Sequence, residues 1–106
     1  MYQNTINQFA STATGTTSVT INATSGVATF TTVILYESTT SFVINNTNIT
    51  ADSIVQLSLK TNSTGAPTIT KYSTSSGVLS INVLNVADGN GYPTDDDLII
   101  SFQILN

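Results

Sequence analysis

DLIISFQILN, residues 97–106, is the stretch on which the fold turns. After the aspartate, Leu98, Ile100, Phe102 and Ile104 fall on every second position. Period two is the spacing of a β-strand with one buried face. The same period returns along the chain. Residues 16–22 (TTSVTIN) align Val19 with Ile21, and residues 27–35 (VATFTTVIL), after the turn signal Ser25-Gly26, align Ala28, Phe30 and Ile34. Residues 41–45 (SFVIN) align Phe42 with Ile44, and residues 53–61 (SIVQLSLKT) set Val55, Leu57 and Leu59 against Gln56, Ser58 and Lys60. Residues 67–73 (PTITKYS) alternate less cleanly, and Pro67 marks an edge or a strand start. Residues 78–86 (VLSINVLNV) align Leu79, Ile81 and Val83.

No stretch of a dozen residues has helical spacing, and Thr, Val, Ile and Asn outnumber good helix formers. With a further segment at residues 6–9, the pattern predicts a jelly-roll β-sandwich of about eight antiparallel strands. The turn signals between strands are Asn45-Asn46, the run from Asn62 to Gly65, Ser75-Ser76-Gly77 and the run from Asp88 to Gly91. An immunoglobulin-like sandwich is the alternative, but neither a cysteine pair nor a core tryptophan supports it. The chain reads as one domain, with residues 1–15 as the end of a stalk or linker.

Charged residues are only 8% of the chain, far below the usual quarter, and Thr, Ser and Asn supply the missing polarity. The two basic residues, Lys60 and Lys71, and a net charge of −4 exclude nucleic-acid binding, which needs several cations against phosphates. They also argue against electrostatic binding to anionic lipid. No apolar run approaches the roughly 20 residues of a membrane helix, so no membrane insertion is expected. The opening MYQNTINQFA has neither the basic start nor the apolar centre of a signal peptide. Histidine and cysteine are absent, which removes Ser–His and Cys–His catalysis and any thiolate or imidazole metal site. No enzymatic activity and no cofactor are expected.

The one charge cluster lies in DGNGYPTDDD, residues 88–97. Oxygen ligands on a glycine-rich loop suit calcium, but Tyr92 stands where a fifth-position ligand belongs and no Glu closes the loop. The plainer reading is a solvated connection whose carboxylates guard the adjacent strand. A glycosidase pair needs a cleft, and three consecutive aspartates before a strand read as a rim. Tyr36 and Tyr92 sit among polar residues, which is the composition of adaptable binding surfaces and also of ordinary turns. The candidate receptor contacts are therefore Asp88, Asn90 and Tyr92 in one loop and Asn62 and Thr64 in another.

Several strands are apolar on both faces at one end. Val33 and Leu35 oppose the row of Phe30 and Ile34, Leu84 opposes Val83, and Ile99 and Leu105 oppose the row of Phe102. Either these cover one another in a twisted monomer or they face another subunit. The second reading makes Val33, Leu35, Leu84, Ile99 and Leu105 a homotrimer interface.

The run from SGVATF through INNTNITADSIVQLSLKT to SSGVLSINVLNV and LIISFQILN resembles the C-terminal head domains of viral fibre proteins. These occur in phages and in the small viruses that parasitise giant viruses, often after collagen-like or other thin stalks. The likeness covers residues 25–106 and contains no catalytic signature. It implies a trimeric jelly roll similar to the complement and tumour-necrosis-factor-like superfamily, with the last strand in the sheet nearest the threefold axis. It also implies a place on the virion surface and attachment to a host or another virion, through a receptor that includes glycans among its candidates. A carbohydrate-binding sandwich of a secreted bacterial adhesin or enzyme is the alternative.

Overall fold

The computed structural model describes residues 11–86 and 91–106. Among them the secondary structure is all strand: β1 (Thr12–Gly15), β2 (Ser18–Thr20), β3 (Ser25–Phe30), β4 (Thr39–Asn45), β5 (Ile54–Lys60), β6 (Pro67–Ser75), β7 (Val78–Asn85) and β8 (Leu98–Leu105). They form two four-stranded sheets, sheet A in the order β1-β3-β8-β5 and sheet B in the order β2-β4-β7-β6. The protein is a β-sandwich.

The alternation seen in the sequence selects what is buried. Leu98, Ile100, Phe102 and Ile104 of β8 face Leu79, Ile81 and Val83 of β7 across one continuous core. Phe30 of β3 and Phe42 of β4 meet between the sheets, with ring centroids 4.5 Å apart. Burial of these rows is the main stabilising term, about 1.5–3 kcal/mol for each fully buried large side chain.

The pairings nest. β3 pairs with β8 and β4 with β7, both antiparallel, while β5 and β6 add to the far sides of β8 and β7. The expectation of uniformly antiparallel strands is corrected at one side: β1 runs parallel to β3 and β2 parallel to β4. The crossing from β1 to β2 therefore runs alongside the later crossing from β3 to β4 and in the same direction. Corner bonds continue the ladder between sheets, from Thr31 N to Gly15 O (3.0 Å) and from Val43 N to Thr17 O (2.9 Å).

Other expectations shift locally. Residues 12–15, read as stalk or linker, form β1 within sheet A. The candidate strand at residues 6–9 lies outside the described residues. The segment read as a strand over 27–35 leaves the sheet after Phe30, so Val33 and Leu35 belong to a connection rather than a strand face. Pro67 opens β6, an edge strand, where its missing N–H costs no ladder bond. The β6–β7 hairpin turns on Gly77, whose φ of 78° is readily adopted only without a Cβ.

At the hairpin end a buried amide gathers the connections. Asn46, just after β4, donates from Nδ2 to Ala23 O (2.6 Å), and its Oδ1 accepts from Asn48 N (2.9 Å). Its own N–H donates to Gly77 O at 2.9 Å.

Phe102→Ala should destabilise the domain by about 3–5 kcal/mol, since it empties the middle of the core. Ser101→Ala on the outer face should stay within about 0.5 kcal/mol. Urea unfolding midpoints measure both, and similar losses for the two variants would contradict the assigned inner row.

Candidate functional site

The opposite end of the sandwich carries three long connections: residues 31–38 between β3 and β4, 61–66 between β5 and β6, and the run from β7 to β8, described at 86 and 91–97. What organises them is one residue at the end of β7. Alternation puts Asn85 in the inner row after Leu79, Ile81 and Val83, and its side chain is completely buried. A buried amide must find partners or forfeit its solvation.

Asn85 finds them in all three connections. Its Nδ2 donates to Ile34 O at 3.0 Å and to Tyr92 O at 2.9 Å. Its Oδ1 accepts from Ala66 N at 2.8 Å. Its backbone adds two more bonds, accepting from Glu37 N (2.9 Å) and donating to Ser38 O (3.0 Å). Gly65 packs against this amide with φ of 78°, and a Cβ there would lie 2.7 Å from Asn85 Oδ1. Only glycine fits, both for the backbone angle and for the space.

A second lock joins the first and third connections. Ile34 N donates to Thr94 Oγ1 at 2.7 Å, and Thr94 N returns a bond to Ile34 O at 3.0 Å. The buried Ile34 side chain then anchors its neighbours, which is why Val33 and Leu35 point outward, 55% and 64% exposed. The second and third connections are laced directly. Thr64 donates from N to Asp95 Oδ1 and from Oγ1 to Pro93 O, both at 2.8 Å. Asp95 N donates to Ser63 Oγ at 3.0 Å, and Thr61 Oγ1 to Asp97 O at 2.8 Å.

The candidate receptor residues separate on this geometry. Tyr92 is held through its carbonyl while its side chain is 51% exposed, and Asn62 is exposed on the neighbouring connection. Thr64 is exposed too, but both of its donors are spent on the scaffold. Asp88 and Asn90 lie outside the described residues. The sequence reading missed Asn85 and Thr94, and it named Tyr36 with Tyr92 without counting it among the receptor contacts. Asn85 left a signal, a polar residue on the buried beat of VLSINVLN. Thr94, inside an aperiodic run, left none. Exposed Tyr36 and Glu37 complete this end, Glu37 at a φ of 61°.

Chemically, the end offers two phenol rings, two aliphatic side chains and the carboxylates of Glu37, Asp95, Asp96 and Asp97. Among the described residues of these connections it holds acceptors and stacking faces, with Lys60 at the end of β5 the nearest basic side chain, so it favours neutral or cationic ligands over phosphate or sulfate. Among the described residues no group of three metal-ligating side chains comes together.

The five residues read as a trimer interface do not share one surface. Ile99 and Leu105 lie on the outer face of sheet A, in register with Lys60 and Ile54 of β5. Leu84 lies on the outer face of sheet B, in register with Thr39 and Thr68. Val33 and Leu35 are at the loop end. No family model, curated protein or solved structure compared with this chain matches it.

Asn85→Ala removes three side-chain bonds and takes the side-chain partner from Tyr92 O and Ala66 N, while Ile34 O keeps only its bond from Thr94 N, so it should cost about 2–4 kcal/mol. Asn62→Ala, exposed nearby, should cost less than about 0.5 kcal/mol. Chemical denaturation compares them, and equal costs would refute the clamp.

Proposed function

We propose that this domain is a non-catalytic recognition head, the attachment head of a virion fibre, and that it works as a homotrimer. The observation that carries the reading is the loop end. Three connections are bound to one buried amide, so exposed Tyr36 and Tyr92 are presented on a fixed platform rather than on independent loops. A rigid scaffold with exposed side chains on its connections is the usual arrangement of a binding surface. The sequence likeness to viral fibre heads supplies the biological setting. The acidic rim narrows the receptor to a neutral glycan or a basic protein surface.

Assembly is assigned to the outer face of sheet A alone. Ile54, 60% exposed, and Leu105, 43% exposed, are cross-strand neighbours there, and Val27 and Ile99 lie on the same face. The rest of that face is Thr, Ser and Gln, with Lys60 its one charge, so a threefold contact around Ile54 and Leu105, at the other end of β5 from Lys60, keeps like charges off the axis. Leu84, Val33 and Leu35 take no part in this interface.

The alternative, a monomeric carbohydrate-binding module of an adhesin, is favoured by the two tyrosines at one end. Light scattering coupled to size exclusion separates the two readings. Three times the 11.1 kDa chain mass is expected, with Ile99→Asp and Leu105→Asp reducing it to the monomer. A single-chain mass at every micromolar concentration would overturn the trimer. Tyr92→Ala and Tyr36→Ala should each abolish most attachment to host cells while leaving the unfolding midpoint unchanged. Unaltered attachment by the double variant would move the receptor site elsewhere.

A further inference from the structure

The side of the sandwich formed by β5 and β6 is open. β5 is the last strand of sheet A and β6 the last of sheet B, and no described strand pairs with the outer edge of either. At the hairpin end the gap is bridged: Tyr72 of β6 reaches across so that Val55 N donates to its hydroxyl at 3.1 Å, and Thr74 Oγ1 donates to Ala51 O at 3.2 Å. Between these bonds and the β5–β6 connection at the loop end, no hydrogen bond among the described residues crosses it. There a cleft of about 580 Å³ runs between the edges, with Leu57, Leu59 and Ile69 as its floor and Lys60, Pro67 and Thr68 at its rim.

The backbone at this cleft is directional. Because Val55 N–H points to Tyr72, away from β8, alternation turns the N–H and C=O of Leu57 and Leu59 the same way. The opposite strand agrees. Ile104, the partner of Val55, sends its N–H to Thr24 O at 2.8 Å, away from β5. So the half-buried Leu57 and Leu59 turn their side chains into the cleft and their main-chain donors and acceptors along its mouth. Apolar floor and unpaired strand edge coincide at the same residues.

We propose that this cleft is a second binding site, which takes an extended, acidic polypeptide segment as an additional strand on β5. The unpaired edge calls for another backbone in β conformation, and alternate side chains of that backbone fall between Leu59 and Ile69. Charge selects the partner. The two basic side chains of the chain, Lys60 and Lys71, stand on β5 and β6, and neither strand contains an acid. A second copy of this chain pairing edge to edge brings the same lysines and another net charge of −4. A segment ending in carboxylates complements the edge instead. Lysines on an edge strand also discourage indiscriminate pairing, which leaves the site to a partner that neutralises them. This site is on the flank of the sandwich and does not depend on the loop end being a receptor surface.

The test uses the whole chain, labelled for NMR, and three capped peptides: Asp-Val-Thr-Val-Thr-Val-Asp, its counterpart with Lys at both ends, and the acidic peptide with alternate amides N-methylated. In the free protein the amides of Leu57 and Leu59 should exchange with solvent faster than those of Gln56 and Ser58. The acidic peptide should shift and protect Leu57 and Leu59, and bind severalfold more tightly than the basic one, the scale of exposed ion pairs. Lys60→Glu should reverse that order, and N-methylation on the pairing side should abolish binding. Absence of shifts along β5 with every peptide at millimolar concentration would overturn the proposal. So would equal binding of acidic and basic peptides, or protection of Leu57 and Leu59 that grows with protein concentration alone, the mark of a second copy in the site.

Discussion

One buried amide decides what the loop end of this domain is. Asn85 is completely enclosed, and its solvation is replaced by bonds to three separate connections. Each bond is worth little by itself, about 0.5–1.5 kcal/mol net, because water offers the same bond to the unfolded chain. The asymmetry is what matters. Moving any one connection away strands a polar group inside an apolar core, so the connections are held jointly. Loops that would otherwise lose conformational order independently become one surface.

The same device operates at the other end. Asn46 follows β4 and Asn85 ends β7, and β4 and β7 are paired at the centre of sheet B. Both sets of connections are thereby referred to one antiparallel pair of strands, whose inner rows include the fully buried Phe42, Leu79 and Ile81. The parallel crossings of β1 and β2 close one side of the sandwich. The other side, between β5 and β6, is crossed among the described residues by the hydrogen bonds of Tyr72 and Thr74 at the hairpin end and by the β5–β6 connection at the loop end. Rigidity at the ends and an opening at the flank follow from one distribution of hydrogen bonds.

Much of this was legible in the letters, for physical reasons that differ by element. The inner rows of β3, β4, β7 and β8 were readable because burial on one face imposes period two. β1 was not, since Thr-Ala-Thr-Gly has no apolar beat and its strand character comes from the parallel neighbour. The end of β3 was misplaced because VATFTTVIL keeps alternating past Phe30, whereas Ile34 is captured by Thr94, a contact between residues 60 apart in sequence. Val33, Leu35, Leu84, Ile99 and Leu105, grouped from the alternation, are spread over three surfaces for a related reason. Alternation tells which face of a strand a residue takes but not which sheet the strand joins. At the site, Tyr92 and Asn62 were readable as polar loop positions, while Asn85 was passed over as one more Asn in an Asn-rich chain.

Held in this way, the loop end should be as rigid as the sheet it caps. Backbone amide relaxation measures that directly. Order parameters at Ile34, Ala66 and Thr94 should lie close to about 0.85, equal to those along β7. Values below about 0.6 at these three residues, with β7 still rigid, would contradict it.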